Sequence, residues 1–180
     1  MNKITLTSKI YADALVKLGQ DYSTVLKDLK SIQEVINISA DLQQVLNNPT
    51  INDDMKFSII DDVFTNKVDK KIIDFVKVII EKKRFSQLDS IVLAYEKELD
   101  KINNVEHVEI ISAIELNDNL KQQIIEKLQN KLQKNVIPNW NTDEDIIGGL
   151  VVKINDDIID TSLKNKLENL SKNIKGNLWH

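Results

Sequence analysis

Apolar residues recur at steps of three and four along roughly the first hundred positions, as they do on one face of an amphipathic helix. Short polar stretches separate these runs. The pattern predicts six helices, at about residues 4–18, 21–37, 40–47, 51–64, 68–82 and 85–103. The two most regular runs are Tyr22, Val25, Leu29, Ile32 and Ile36, and Phe85, Leu88, Val92, Tyr95, Leu99 and Ile102.

The stretch "NNPTINDD", residues 47–54, predicts one helix boundary in particular. Pro49 cannot continue the helix before it, because proline lacks the backbone N–H and clashes with the preceding turn. Thr50 is predicted to cap the next helix. Asp53, three residues later, would reach back to complete a capping box.

The period changes after residue 104. In "VEHVEIISAIEL" apolar and polar residues alternate, which predicts a strand near residues 105–113. Asn117 or Asp118 then caps a helix. A second alternating run at residues 150–154 and a short one at 157–159 predict a hairpin.

A last helix is predicted after the hairpin, capped by Asp160, Thr161 or Ser162. The fold class is therefore mainly α. A six-helix bundle occupies residues 1–104, and a small α/β domain of strand, helix, hairpin and helix occupies residues 105–180.

The first helix has one predicted core face and some apolar residues beyond it. On a helical wheel, Ala12 and Val16 fall outside the core arc. That arc is predicted to consist of Ile10, Tyr11, Ala14, Leu15 and Leu18.

The fifth helix has an apolar stripe wider than one core requires. Phe75 and Val78 extend the stripe to more than half of the circumference. Two interpretations remain open: the helix lies at the centre of the bundle, or a groove between the first and fifth helices accepts an amphipathic partner helix. The predicted core stripe itself is Ile72, Ile73, Val76, Ile79 and Ile80.

Composition narrows the possible partners and reactions. The net charge of -4 gives no basic field to attract nucleic acid or anionic lipid. The absence of cysteine excludes thiol nucleophiles and zinc–thiolate sites. No run approaches the roughly 20 apolar residues of a membrane span, and the N-terminus lacks the apolar segment of a signal peptide. We therefore expect protein partners and no direct membrane insertion.

The adjacent glycines Gly148 and Gly149 could belong to a phosphate-binding loop, a calcium-binding loop or a structural bend. A phosphate loop leads from a strand into a helix, whereas this pair leads into a predicted strand. A calcium loop starting at Asn141 would need glycine where Ile146 stands and glutamate where Val152 stands. The pair is therefore predicted to form a structural bend.

Candidate catalytic residues are few. His107 lies in a predicted strand, His180 is the last residue, and there is no cysteine for either to activate. A small hydrolase or nucleotide-binding enzyme centred on His107 or the glycine pair is the weaker alternative. We predict no catalytic, metal-binding or cofactor-binding residues.

Four stretches resemble a known family: "YADALVKLG" at 11–19, "LNNPTI" at 46–51 followed by Lys56, "FVKVIIEKKRFSQLDSI" at 75–91, and "DIIGGLVVKINDDIIDTSLKNKLENL" at 145–170. With them the chain resembles, nearly end to end, the delta subunits of bacterial F-type ATP synthases, the counterparts of the mitochondrial oligomycin-sensitivity-conferring protein. In that family the last stretch is a structural hairpin and helix.

The resemblance implies a non-catalytic stator subunit, present in single copy in a hetero-oligomer and without a cofactor. Its helical domain would bind N-terminal helices of the alpha subunits on the catalytic head, and its C-terminal part would bind the b subunits of the peripheral stalk. The head would then resist rotor torque during proton-driven ATP synthesis. The expected location is peripheral, at the cytoplasmic face of a bacterial plasma membrane.

The resemblance also implies site residues. The groove for the alpha-subunit helix is assigned to Tyr11, Ala12, Leu15, Val16, Phe75, Val78 and Ile79. The stalk contact is assigned to Leu163, Leu167 and Leu170, and structural roles to Gly148, Gly149, Asp160 and Ser162. Pro138 departs from the family pattern and predicts a strand that is short or at an edge. The alternative function is a generic helical adaptor that binds an amphipathic helix outside the synthase.

Overall fold

The computed structural model describes residues 3–18, 21–155, 157–163 and 165. The chain divides between Leu99 and Asp100 into two compact units, each with its own hydrophobic core. The division falls a few residues before the predicted boundary at 104. The fold is mainly α with a small α/β part, which confirms the predicted fold class.

The first unit is built from helices, and their bounds agree with the predicted ones to within about three residues. A short 3-10 helix, Phe85–Gln87, precedes the last of them. The helices are α1 (Leu6–Lys17), α2 (Tyr22–Ile38), α3 (Ala40–Asn47), α4 (Asp53–Phe64), α5 (Lys70–Glu81) and α6 (Leu88–Ile102).

The start of α1 is fixed by a capping box between Thr5 and Ser8. The Ser8 backbone N–H donates to Thr5 Oγ1 at 3.1 Å, and the Thr5 backbone N–H donates to Ser8 Oγ at 2.9 Å. Each side chain satisfies a backbone donor that the first turn leaves free. This reciprocal bonding explains why a serine can be fully buried there.

The predicted cap of α4 is wrong. Asn52 is the N-cap, and its Oδ1 accepts from the Asp54 backbone N–H at 3.3 Å. Thr50 instead donates its hydroxyl and its backbone N–H to Asn48 Oδ1, at 2.8 and 3.0 Å. Asn48 therefore holds Thr50 in the turn after α3, and α4 begins later than the sequence suggests.

The core of the helical unit is formed mainly by α2, α5 and α6. Tyr95 is the largest of its fully buried side chains. The predicted stripe of α2 is confirmed at Val25, Leu29, Ile32 and Ile36, and the predicted stripe of α5 at Ile72, Ile73, Val76, Ile79 and Ile80.

The second unit has a four-stranded sheet in the order β2-β1-β3-β4. β1 and β2 are parallel and are connected through α7, whereas β3 pairs antiparallel with both β1 and β4. The elements are β1 (Val105–Ser112), α7 (Asp118–Leu132), β2 (Asn135–Thr142), β3 (Leu150–Ile154) and β4 (Asp157–Asp160).

β2 corrects the predicted order of strand, helix, hairpin and helix, which has no strand after α7. Pro138 lies inside β2, opposite Val108. The prediction of an edge strand is right, because β2 is the outermost strand; the prediction of a short strand is wrong, because it has 8 residues. An edge strand needs hydrogen bonds on one side only and therefore tolerates a proline.

Glu106 on β1 holds three segments of the second unit together. Its carboxylate accepts hydrogen bonds from Lys134 Nζ, just before β2, and from Asn155 Nδ2, just after β3, the latter at 2.6 Å. The hydrogen bond from Lys134 is the main reason that the pKa of Glu106 is lowered. The small core beside it consists of Val108, Ile110, Leu128, Val136 and Val152.

Candidate partner-binding surfaces

α1 and α5 meet at the rings of Tyr11 and Phe75. The ring centroids are 6.1 Å apart and the planes make an angle of 77°. This edge-to-face arrangement is one that aromatic pairs favour. Both rings are partly buried against the core and partly open to solvent. The two helices predicted to form a groove are therefore neighbours at this contact.

The residues assigned to the groove are not equally accessible. Ala12, Leu15 and Ile79 are at most 1% exposed and belong to the core of the helical unit. They lie beneath the surface and are available to a partner only if the bundle rearranges. Tyr11, Val16 and Phe75 are partly buried, and Val78 is 43% exposed. We call Tyr11, Phe75 and Val78 the α1/α5 patch.

The predicted core face of α1 is right at Leu15, which is buried, and in part at Tyr11, which packs against the core, but it is wrong at the other three positions. Ile10 is 61% exposed, Leu18 is 45% exposed and Ala14 is also exposed. The buried face instead carries Ser8, Ala12 and Leu15. The helical-wheel prediction missed this face because it gave most weight to large apolar side chains. Small residues at Ser8 and Ala12 allow the α1 backbone to lie close to the bundle, and this leaves larger apolar residues outside.

α5 contributes one side to the core and keeps another side open to solvent in the isolated chain. One face is buried, but Lys70, Lys71, Asp74 and Glu81 are exposed on the others. Val78 therefore remains an apolar residue on a face that neighbouring helices do not cover. This finding excludes burial on all sides as the reason for the wide apolar stripe.

A polar border lies beside the α1/α5 patch. Lys82 Nζ lies 3.0 Å from Glu81 Oε1, and this hydrogen bond is the main reason that the pKa of Lys82 is raised. Tyr11 makes a smaller electrostatic contribution in the same direction. An apolar centre with a charged rim is typical of a protein-binding surface.

In the second unit, Leu163 is the part of the predicted stalk contact that the structure describes. Its side chain is 50% exposed, and its backbone N–H donates to the carbonyl oxygen of Gly148 at 3.0 Å. Ile147 and Ile158 are each 64% exposed in the same unit. Leu167 and Leu170 lie outside the described residues.

The glycine pair forms a bend directly before β3. Gly148 and Gly149 have φ angles of +75° and +92°, which side chains disfavour. A Cβ atom on Gly149 would lie 2.7 Å from the carbonyl oxygen of Thr161. The second glycine is therefore required because the chain after β4 passes directly against its backbone.

Ser162 caps the segment that begins after β4. Its Oγ accepts from the Asn165 backbone N–H at 3.3 Å, and its own backbone N–H donates to Asp160 Oδ1 at 2.8 Å. Of the three predicted caps, Ser162 therefore makes the capping bond, and Asp160 orients it. The buried Ser162 side chain is 4% exposed.

The candidate enzyme residues are not assembled into a catalytic group within the described ranges. The His107 side chain is 62% exposed, and its Nε2 lies 3.3 Å from Asp100 Oδ2, as in a surface ion pair. No three His, Asp or Glu side chains in the described part of the chain are grouped as a metal site requires. None of the helices described there is both long and apolar enough to span a bilayer.

The described structure defines the class of this protein by its fold: a helical bundle followed by a small α/β unit, with large apolar side chains exposed on both units. The family model for the ATP synthase delta (OSCP) subunit matches residues 7–174. The chain belongs to this family.

Relatives cover nearly the whole chain. The ATP synthase subunit delta of Chlorobaculum tepidum is 36% identical over 168 residues, which is 92% of this chain and 93% of the relative. The ATP synthase subunit delta of Clostridium botulinum strain 657 is 35% identical over 165 residues, which is 90% of this chain and 92% of the relative. A chain in the cryo-EM structure of the Toxoplasma gondii mitochondrial ATP synthase hexamer has a TM-score of 0.61 at 16% identity, covering 94% of this chain and 97% of that one. This last similarity supports the fold alone.

Proposed function

We propose that this chain is the stator adaptor of an F-type ATP synthase. It links the N-terminal helices of the alpha subunits on the catalytic head to the b subunits of the peripheral stalk, in single copy and without catalysing a reaction itself. The head then resists the torque of the rotor during proton-driven ATP synthesis. The complex lies at a bacterial plasma membrane, with this subunit peripheral on the cytoplasmic face.

The α1/α5 patch is the observation that carries the head-binding half of the proposal. Phe75 and Val78 lie three residues apart on α5 and therefore on one side of the helix, and Tyr11 extends the apolar surface onto α1. An amphipathic helix recognises such a surface through apolar residues on one of its faces. Family membership supports the alpha subunit as the source of that helix.

Val78→Asp tests this half directly. The side chain is 43% exposed, so the substitution leaves the core of the bundle intact. A buried carboxylate facing an apolar partner should weaken binding of the isolated catalytic head by roughly 2 kcal/mol, about 30-fold in Kd. Isothermal titration of the full chain into heads depleted of this subunit gives the Kd.

Val35→Asp is the matched control. Val35 is also a helical valine, on α2, and is 38% exposed. We expect its affinity for the head to stay within about 0.5 kcal/mol of that of the unchanged chain. Equal affinities for the two variants, with unchanged helicity by circular dichroism, would remove Val78 from the head contact.

Affinity purification separates the stator adaptor from the generic adaptor. The tagged full chain is recovered from mildly solubilised membranes of its own host, and co-purified subunits are identified by mass spectrometry. Recovery of alpha, beta and b subunits supports the stator role. If an intact synthase is present in the preparation and none of its subunits is recovered, the stator role is refuted.

A further inference from the structure

Three loops of the second unit meet at one end of its sheet. β1, β2 and β4 end there and β3 begins there, because β2 runs parallel to β1 whereas β3 runs antiparallel to both β1 and β4. Two hydrogen bonds tie the segments together at this end. The Asp143 backbone N–H donates to the carbonyl oxygen of Ser112 at 2.9 Å, and the Leu163 backbone N–H donates to that of Gly148 at 3.0 Å. The loops after β1, before β3 and after β4 therefore lie next to one another.

Each of these loops exposes one large apolar side chain. Ile114 is 71% exposed, and its carbonyl oxygen accepts from Ser112 Oγ at 2.7 Å, which fixes the loop beside the end of β1. Ile147, directly before Gly148, and Leu163 are at least half exposed. We call Ile114, Ile147 and Leu163 the loop surface. Exposed apolar side chains gathered in one region mark protein-binding sites.

The connections at the opposite end of the sheet are polar, and they are used within the unit. Asn104 Nδ2 donates to the carbonyl oxygen of Gln133 at 3.0 Å. Lys134 and Asn155 both donate to the carboxylate of Glu106. Exposed apolar side chains are thus not a general property of the connections in this unit, and the loop surface needs its own explanation.

Acidic residues surround the loop surface. Six acidic and two basic residues lie in the segments 113–121, 143–149 and 160–164. The excess of acidic over basic residues there equals that of the whole chain, which has 28 acidic and 24 basic residues. Of the two basic residues, Lys121 has its Nζ 5.8 Å from the centroid of the Trp140 ring. The acidic rim consists of six exposed residues: Glu115, Asp118, Asp143, Glu144, Asp145 and Asp160.

We propose that the loop surface binds a basic amphipathic helix of the b subunits. The apolar residues of this helix contact Ile114, Ile147 and Leu163, and its lysine or arginine side chains lie against the acidic rim, since charge complementarity selects the partner. The inference rests on the stalk half of the function proposed above. It adds that two loops distant in sequence from Leu163 belong to the contact and that the partner segment is basic.

The outer strands of the sheet favour a helix over an added strand as the occupant. A strand that joins a sheet needs a row of free backbone N–H and C=O groups at the edge. Pro138 interrupts that row on β2, because proline has no N–H. On β4 the carbonyl oxygen of Asp160 accepts from Asn165 Nδ2 at 3.2 Å. Neither outer strand thus offers a complete edge.

Isothermal titration of the full chain with a soluble C-terminal fragment of b tests the apolar part of the contact. Ile147→Ser removes an apolar side chain that is 64% exposed, so the fold should be kept. We expect its Kd to be at least about 10-fold higher than that of the unchanged chain. Ile137→Ser is the control, since Ile137 is also an exposed isoleucine but lies on β2, the outer strand opposite β4. Its Kd should stay within about 2-fold.

Glu144→Lys tests the charge of the partner. The turn at this position should be kept, because its side-chain hydrogen bond runs from the Asp145 backbone N–H to Asp143 Oδ1, at 3.0 Å. We expect Glu144→Lys to raise the Kd about 5-fold at low salt, and the difference to shrink as NaCl is raised from about 50 to 500 mM. Glu126→Lys, at an exposed position on α7, should leave the Kd within about 2-fold.

The outcomes separate this inference from the stalk role itself. If the unchanged chain does not bind the b fragment, the stalk role fails and the inference fails with it. If the unchanged chain binds and Leu163→Asp weakens binding, but Ile147→Ser and Glu144→Lys do not, the stalk contact stands and the loop surface is refuted. The salt dependence of the unchanged chain needs no variant: affinity that does not fall with added NaCl would show that the partner segment is not held by its basic charge.

Discussion

Tyr11 and Phe75 join α1 to α5 at the border between the core and the solvent, with their ring centroids 6.1 Å apart. Each ring packs partly against the core and keeps part of its surface open. The same contact thus stabilises the bundle and shapes the α1/α5 patch. If the proposed function holds, substitutions at these two residues change both stability and partner binding, whereas Val78 is exposed enough to test binding alone.

A double-mutant cycle should detect the Tyr11–Phe75 contact. Tyr11→Ala and Phe75→Ala each lower the free energy of unfolding, and the double variant should lose less than the sum of the two. We expect a coupling energy of about 0.5–1.5 kcal/mol, as for other edge-to-face pairs. Urea denaturation followed by circular dichroism measures it. Additive losses would mean that the rings contribute independently.

Substitution by alanine should lower the free energy of unfolding more at Gly149 than at Gly148. At Gly148 the new Cβ would lie 3.2 Å from Leu163 Cδ1, a side-chain atom that can move, so the cost is mainly the positive φ, about 1–2 kcal/mol. At Gly149 the new Cβ would lie 2.7 Å from the backbone oxygen of Thr161. We expect Gly149→Ala to cost about 3 kcal/mol or more. Hydrogen exchange of the β3 amides measures the two losses of stability. We expect faster exchange in Gly149→Ala than in Gly148→Ala, and equal exchange in the two variants would contradict the prediction.

The sequence predicts most of the elements because hydrophobic periodicity reports which face of a helix or strand is buried. It fails at α1, where the small residues Ser8 and Ala12 are buried and Ile10 is exposed. Periodicity gives the spacing of a stripe but not which of two apolar stripes the neighbouring helices cover. The predicted cap of α4 is also wrong. The Thr50 hydroxyl donates to Asn48 Oδ1 and is therefore not available to cap the helix.

Other features require contacts between distant segments and have no local signal. The eight-residue β2 includes Pro138 and forms because β1 is available as a parallel partner. Lys56 is one of many lysines in the sequence, and only the packing of the bundle shows that it is buried in a cavity wall. Around the α1/α5 patch, the sequence predicts two helices that the structure brings into contact, but it cannot separate the exposed Val78 from the buried Ile79.

Tyr95 should make stability depend on pH in alkaline solution. Its hydroxyl oxygen is buried without a hydrogen-bond partner among the described residues, and burial raises the pKa of Tyr95 to about 12. Between pH of about 10 and 12 the unfolded chain therefore loses this proton while the folded chain keeps it. The free energy of unfolding is unaffected below pH 10 and falls as the pH rises towards 12.

Tyr95→Phe isolates this effect from other alkaline titrations. The variant removes an unpaired buried hydroxyl, so at pH 8 its stability should be equal to that of the unchanged chain or higher by up to about 1 kcal/mol. Urea denaturation at pH 8 and pH 11 should show a larger loss for the unchanged chain than for Tyr95→Phe. Equal losses would mean that Tyr95 titrates alike in the folded and unfolded states.

Leu163→Asp should separate the stalk contact from the head contact. The side chain is 50% exposed, and the substitution places a charge where we propose that the b subunits bind. Affinity for a soluble C-terminal fragment of b should fall by roughly 2 kcal/mol, whereas affinity for the catalytic head should not change. Leu120→Asp is the control in the same unit, since Leu120 lies on α7 and is 45% exposed. Isothermal titration of both variants against the b fragment and the head gives four affinities. An equal loss of b binding at Leu120, or a loss of head binding at Leu163, would contradict a stalk contact at the segment after β4.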